Sequence, residues 1–182
     1  LVLSEAAVQV LERAAARGVE ITILTNSPTS SDNAVSQAFF MEQWPELLAR
    51  VPTLRLFVRG DGHNLHAKAA VVDDRVAVVS TYNLDPVSMY VDGEVAVVAW
   101  SELLAARLAA PARTWIATGG PETLEYRIAR DPSGAVRRDA DGDPIVVFGP
   151  EDHTDPERWT GLAAWWTLLR TLEDWVGFDP IF

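Results

Sequence analysis

Residues 64–94 read NLHAKAAVVDDRVAVVSTYNLDPVSMYVDGE. Two apolar runs rich in β-branched residues, Ala69 to Val72 and Val76 to Val79, flank the polar break Asp73-Asp74-Arg75, which predicts strand, tight turn, strand. Residues two apart on a strand share a face, so His66 and Lys68 point the same way. The polar run after Val79 returns Thr81 and Asn83 to the same sheet edge. An imidazole, an ammonium, a hydroxyl and an amide are thereby collected at one spot.

That set suits an anionic, phosphorus-centred substrate. His66 can attack phosphorus and form a phosphohistidine, dividing one hard displacement into two easier ones. Lys68, Thr81 and Asn83 can hold the non-bridging oxygens as the centre becomes five-coordinate. Glu94 can accept from the other ring nitrogen of His66 and fix its tautomer. The scheme requires no metal and no cofactor. The same residues also fit a buried strand pair with polar ends, and the pattern H-x-K-x4-D alone does not choose between the two.

The residues go further than that pattern. Asp73 is followed by six residues and then by Ser80-Thr81-Tyr82-Asn83, which resembles the HKD motif of the phospholipase D superfamily, H-x-K-x4-D-x6-G-S/T-x-N. Asn83-Leu84-Asp85-Pro86-Val87-Ser88 resembles the N-L-D-P-R-S signature of its bacterial cardiolipin synthase-like branch. Glu94 lies 28 residues after His66, where the family carries the acidic residue that supports its catalytic histidine. The resemblance implies a catalytic set of His66, Lys68, Asp73 and Glu94. Ser80 stands for the usual Gly, Val87 for the usual Arg, and Asp92-Gly93-Glu94 for N-x-E. The first change narrows the space beside the phosphate and the second removes a fork of donors, so both bear on substrate range.

Composition sets the outer limits. The chain has 182 residues, 48% hydrophobic and 23% charged, enough for one sizeable core. No apolar run approaches the 18 or so residues of a membrane-spanning helix. The absence of Cys excludes disulfides and thiolate metal sites. A net charge of −11 argues against a nucleic-acid partner, because polyanion binding normally uses a basic stripe.

Leu1-Val2-Leu3-Ser4 carries neither an initiator Met nor a signal peptide and reads as a continuation. Ser4 can cap a helix to Arg17, with Val8, Leu11 and Ala15 on one face and Gly18 as the stop. Val19 to Thr25 reads as a buried strand. Arg17-Gly18-Val19 and Leu24-Thr25-Asn26-Ser27 again resemble the cardiolipin synthase-like branch, at the start of its second half. There the strand end lies near the active site, which implies substrate contact for Asn26 and Ser27; capping of their own loop is the other reading. A helix from the loop 29–33 to about Arg50, a strand from Leu54 to Val58 and a flexible approach through His63 lead to the motif. After it come a strand from Val95 to Trp100 and a helix from Ser101 to about Trp115.

Strands alternating with helices predict an α/β fold, a mixed sheet with helices on both faces, and the resemblance implies the same. Residues 1–118 form the motif-bearing lobe on this reading, and 119–182 a C-terminal extension of β-hairpin and helix packed on it. Its short strands, Leu124 to Arg130, Ala135 to Arg138 and Ile145 to Phe148, are separated by Asp131-Pro132-Ser133-Gly134 and by the Asp-rich stretch 139–144. The latter lacks the spacing of a calcium loop and reads as a hairpin turn. Leu162, Trp165, Trp166, Leu169 and Leu172 recur at helical spacing, as a core-facing helix or, with Trp159, Trp175 and Phe178, as a membrane-interface anchor.

Only one HKD motif is present, whereas the superfamily builds its site from two. The resemblance therefore implies a partner, an N-terminal HKD half of the same protein. The expected function is a phospholipase D-like phosphodiesterase or phosphatidyltransferase acting on phospholipid headgroup esters, in peripheral contact with a membrane. Two rivals are a homodimeric nuclease-type phosphodiesterase and a catalytically silent lipid-binding or scaffold lobe.

Overall fold

Ser4 opens the first helix, α1 (Glu5–Ala15), from an extended backbone, and its hydroxyl accepts from the Ala7 N–H at 3.3 Å. Gly18 takes φ 79°, a left-handed conformation that suits glycine at a helix stop. The Val19 N–H closes on Ala14 O at 3.2 Å and the Val19 carbonyl accepts from Thr53 Oγ1. Val19 is thus consumed by the helix stop, and strand β1 (Ile21–Asn26) starts two residues later than its apolar run suggests. The computed structural model describes residues 1–31, 34–85, 88, 92–119, 122–157, 159–161, 163, 164, 167, 168 and 171, with the backbone alone at 34 and 35.

Helix α2 (Ala34–Arg50) leads to β2 (Leu54–Arg59), which pairs in parallel with β1 from Ile21↔Leu54 to Asn26↔Arg59. The motif hairpin is β3 (Ala69–Val72) and β4 (Val76–Ser80), followed by β5 (Ala96–Trp100) and α3 (Glu102–Thr118), whose cap Ser101 accepts from Leu104 N at 3.3 Å. The extension adds β6 (Thr123–Ile128) and β7 (Val146–Phe148). Among the described residues the strands sort into two sheets, a mixed one ordered β1-β2-β6-β7 and an antiparallel one ordered β3-β4-β5. Residues 60–68, rich in Gly and polar groups, carry no strand and separate the two. β6 lies antiparallel against β2, within the same sheet as β1.

Alternation along β2 divides its environment. Leu54, Leu56 and Val58 enter the core with Leu3, Val8, Phe40, Trp44, Leu47 and Tyr126. On the other face the Arg59 guanidinium lies 4.6 Å from the Trp115 ring of α3 and pairs with Asp61. Helices thus cover the mixed sheet on both faces. α1 is tied to α2 by Arg50, whose hydrogen bonds hold the Glu5 carboxyl down at about 2.

Two similar turns shape the extension. Asp131 Oδ1 accepts from the N–H of Ser133 and Ala135, and Asp139 Oδ1 from those of Asp141 and Asp143. Gly134 and Gly142 follow at φ 90° and 92°, and the preceding Arg130 and Arg138 donate to their carbonyls. The Asp139 to Asp143 stretch is therefore a hairpin turn whose first carboxylate is engaged by its own backbone. The described residues from 156 onward are helical. The periodic Leu162, Trp165, Trp166, Leu169 and Leu172 lie outside the described residues, as do Trp175 and Phe178. Among the described residues no helix is long and apolar enough to cross a membrane.

His153 anchors the extension from inside. Its Nε2 is 2.9 Å from the hydroxyl of fully buried Tyr126, and its ring stacks on Phe148. Burial holds the imidazole below its ordinary value of 6.5. Folded His153 thus resists a proton that the unfolded chain accepts as pH falls through that value, and stability declines on acidification. We expect the thermal midpoint to drop between about pH 7 and 5, and His153→Gln to flatten that slope. An equal slope in the variant would assign the effect to other groups.

Candidate active site

The β3–β4 turn places the motif. Asp73 and Asp74 adopt φ 52° and 55°, and the Arg75 N–H closes on Val72 O at 3.0 Å. Asp tolerates this left-handed region better than the β-branched residues on either side. The register Val72↔Val76, Ala70↔Val78 follows, and the Ser80 N–H reaches back to Lys68 O at 2.9 Å. The ladder therefore extends to Lys68, and His66 lies just beyond it. Asp73 is at the opposite end of β3, in the turn.

The sequence-predicted residues form three hydrogen-bonded groups. In the first, Lys68 Nζ lies 2.7 Å from His66 Nε2. An ammonium can only donate, so Nε2 accepts through its lone pair, which in a neutral ring leaves the proton on Nδ1. His66 is exposed and Lys68 half-buried, so the pair is open to a ligand. In the second group, Thr81 Oγ1 donates to Glu94 and accepts from the Val95 N–H at 3.1 Å. Glu94 was expected on the imidazole; its bond here goes to Thr81. In the third, the backbone N–H and Nδ2 of Asn83 lie 3.4 and 3.3 Å from Ser88 Oγ, while the Ser88 N–H donates to Asp85 Oδ1 at 2.7 Å.

Ser88 is buried at 4% exposure and orients Asn83, a role that sequence reasoning missed. Its signal was Asp85-x-x-Ser88, the spacing of a helix N-cap. Leu84 adopts φ 60°, uncommon for a bulky residue, beside this cluster. Ser80, the departure from Gly, is the last residue of a regular strand and its φ is not positive, so its backbone places no demand for glycine. Val87 lies outside the described residues.

Asn26 and Ser27 sit at the end of β1. Ser27 is fully buried and shares hydrogen bonds with Thr29 and Ser30 of its own loop. The Asn26 amide faces the segment before His66: Nδ2 donates to Leu65 O at 2.9 Å and Asn64 Oδ1 at 2.8 Å, and Oδ1 accepts from Leu65 N at 2.7 Å. His63, with its side chain 86% exposed beside Asp61, stays a loop residue. Among the described residues no cluster of His, Asp and Glu is arranged to hold a metal ion.

Beyond the motif the second sheet is apolar and open. Register aligns Val72, Val76 and Trp100 in one cross-strand row and Ala70, Val78 and Val98 in the next. Trp100 is 79% exposed and Val72 and Val98 about half. By alternation this is the face on which Lys68 and His66 lie.

Known proteins resemble this chain in sequence and in fold. The chain is 33% identical over 117 residues to cardiolipin synthase C of Escherichia coli (strain K12), covering 56% of this chain and 25% of that one. It is 32% identical over 93 residues to an uncharacterized protein of Helicobacter pylori, covering 44% and 18%. The chain thus spans about a fifth to a quarter of the length of these relatives. Among solved structures, phosphatidylserine synthase of Haemophilus influenzae Rd KW20 superposes with a TM-score of 0.55 at 11% identity, over 96% of this chain and 37% of that one. Nuc of Salmonella typhimurium, a phospholipase D family member, does so with a TM-score of 0.52 at 17% identity, over 69% and 76%. A family model described as cardiolipin synthase, PLD-like domain, matches residues 1–115. With its mixed α/β fold and its motif hairpin, the chain belongs to that cardiolipin synthase-like family of the phospholipase D superfamily.

Proposed function

We propose that this chain is one half of a phosphatidyltransferase or phosphodiesterase that acts on phospholipid headgroup esters through a phosphohistidine at His66. The observation that carries the reading is the 2.7 Å bond from Lys68 Nζ to His66 Nε2. It holds a nucleophilic lone pair and a cation at one exposed point. An arriving phosphodiester oxygen competes for the ammonium, which moves the charge to the phosphate and frees Nε2 to attack. The N–P bond forms as the P–O bond to the departing alcohol breaks, and a donor on the opposite face protonates that alcohol. Water or an acceptor alcohol then attacks the phosphohistidine, giving its proton to that same opposing group as the N–P bond breaks and the imidazole is restored.

Asn83, set by Ser88, donates to a non-bridging oxygen in this scheme. Thr81 can do so by turning away from Glu94, which leaves that carboxylate free for the Nδ1–H of His66. Asp73 serves by its turn conformation, which fixes the β3–β4 register and hence where Lys68 stands. Residues 1–118 act as the HKD-bearing lobe, with 119–182 packed on it. The opposing donor comes from a second HKD half, seated over the His66, Lys68 and apolar sheet face.

The experiment is turnover by the full-length protein of phosphatidylglycerol or phosphatidylcholine vesicles against single-stranded DNA. Headgroup release or transfer on lipid, without DNA cleavage, is the expected result. Cleavage of DNA alone would favour a nuclease-type enzyme, and silence on both a scaffold lobe.

Glu94→Gln keeps an oxygen for the Thr81 hydroxyl but removes the charge that stabilises an imidazolium. We expect a fall in rate of roughly ten- to a thousandfold with the fold intact. Unchanged turnover would reduce Glu94 to an anchor for Thr81.

A further inference from the structure

We infer that Asn26 is a positioning residue that sets His66 by clamping the backbone of Leu65. The inference rests on the assignment of His66 as the reacting group. Asn26 ends β1 at its C-terminal edge, where the register sets it beside Arg59 of β2. Its side chain grips both main-chain groups of Leu65, Nδ2 to O at 2.9 Å and N to Oδ1 at 2.7 Å, as a neighbouring strand would. Nδ2 also donates to Asn64 Oδ1 at 2.8 Å and Oδ1 accepts from Ser30 Oγ at 3.3 Å. Both N–H donors of the carboxamide are thereby occupied, so none is left to offer a substrate oxygen. The partners also fix which end is oxygen, because the Leu65 N–H can only donate and its carbonyl only accept.

The clamp matters because of where the strands stop. Residues 60–68 carry no strand, and Lys68 is held by the Ser80 N–H on its carbonyl. His66 lies between that bond and the Asn26 grip. It is therefore placed from both sides, by β4 on one and by the core sheet on the other. Reaction at phosphorus requires the attacking nitrogen to be held in line at near-contact distance, where displacement by about 1 Å costs on the order of a hundredfold. Freed at Leu65, His66 samples positions in which Nε2 misses both Lys68 and phosphorus.

The test compares Asn26→Ala and the near-isosteric Asn26→Asp with wild type in the full-length protein. Asp keeps an acceptor for the Leu65 N–H but offers its carbonyl no donor. We expect kcat to fall at least about tenfold in both variants with KM within about threefold of wild type, because the groups that hold substrate are untouched. Amide hydrogen exchange at Leu65 is expected to speed up strongly in Asn26→Ala and less in Asn26→Asp, where the acceptor for that N–H remains, while exchange in the β2 core stays as in wild type. A rise in KM at constant kcat would place Asn26 on the substrate and overturn the inference, as would wild-type kinetics in either variant. Should Asn26→Ala fail to fold, Asn26→Asp alone decides. Exchange at Leu65 requires no turnover, so it reports on the clamp even where His66→Ala shows that the His66 assignment is wrong.

Discussion

Replacing His66 by Ala in the full-length protein is expected to lower kcat at least about a thousandfold, roughly 4 kcal/mol of transition-state stabilisation. The size follows from the role. As nucleophile the imidazole forms the bond that divides the displacement, and as acid it supplies the leaving group's proton; no neighbour can substitute in either part. Lys68 is an ammonium with no lone pair to give, Asn83 is not basic, and Glu94 in the proposed scheme stands on the Nδ1 side of the ring, away from phosphorus. The variant should fold normally, since the His66 side chain is exposed and its one described bond is to Lys68. Single-turnover trapping of radiolabelled phosphate on protein separates the two roles, because only a nucleophile accumulates label. A variant that keeps more than about a tenth of wild-type kcat would remove His66 from the chemistry.

The second large effect concerns the chain by itself. Residues 1–182 are expected to turn over no phosphodiester at a measurable rate until a second HKD half is added. In-line displacement needs a nucleophile on one face of phosphorus and a proton donor on the other, and one imidazole cannot occupy both positions in a single step. The other two histidines do not serve. His63 is a loop residue beside Asp61, and His153 is committed to Tyr126 in the core. The apolar rows that end in Trp100 and Val98 continue the face of His66 and Lys68, so a partner seated over the pair also covers exposed hydrophobic surface. The isolated chain should accordingly self-associate, and a co-expressed second half should restore both monodispersity and activity. Purified monomer with a normal enzymatic rate would refute this arrangement.

Much of the fold was legible because its signals are local. The helix ends at Ser4, Gly18 and Ser101, the β-branched runs of β3 and β4, and the Asp-rich turns each depend on a few adjacent residues whose conformational preferences agree. The pairing of His66 with Lys68 was legible for the same reason, since alternation along a strand puts both on one face. Where tertiary contacts competed with local preference, the sequence was less informative. Val19 has a strand former's side chain, yet the bonds of Ala14 and Thr53 draw it into the helix stop.

What sequence by itself determined was the residue set, the spacing that identifies the family, and the hairpin carrying them. What only the tertiary structure decided was which groups meet across long separations. Asn26 and Leu65 lie 39 residues apart, and no periodicity links them; they meet because β1 and β2 pair in parallel and end together. Glu94 sits 13 residues from Thr81, and the pairing of β4 with β5 is what brings it there. Among the described residues the strands also sort into two sheets rather than one, because β1 and β6 take both edges of β2 while β3 pairs with β4. A side-chain hydrogen bond reaches only about 3 Å, so its partner is set by the three-dimensional register of the backbone, which no stretch of sequence specifies on its own.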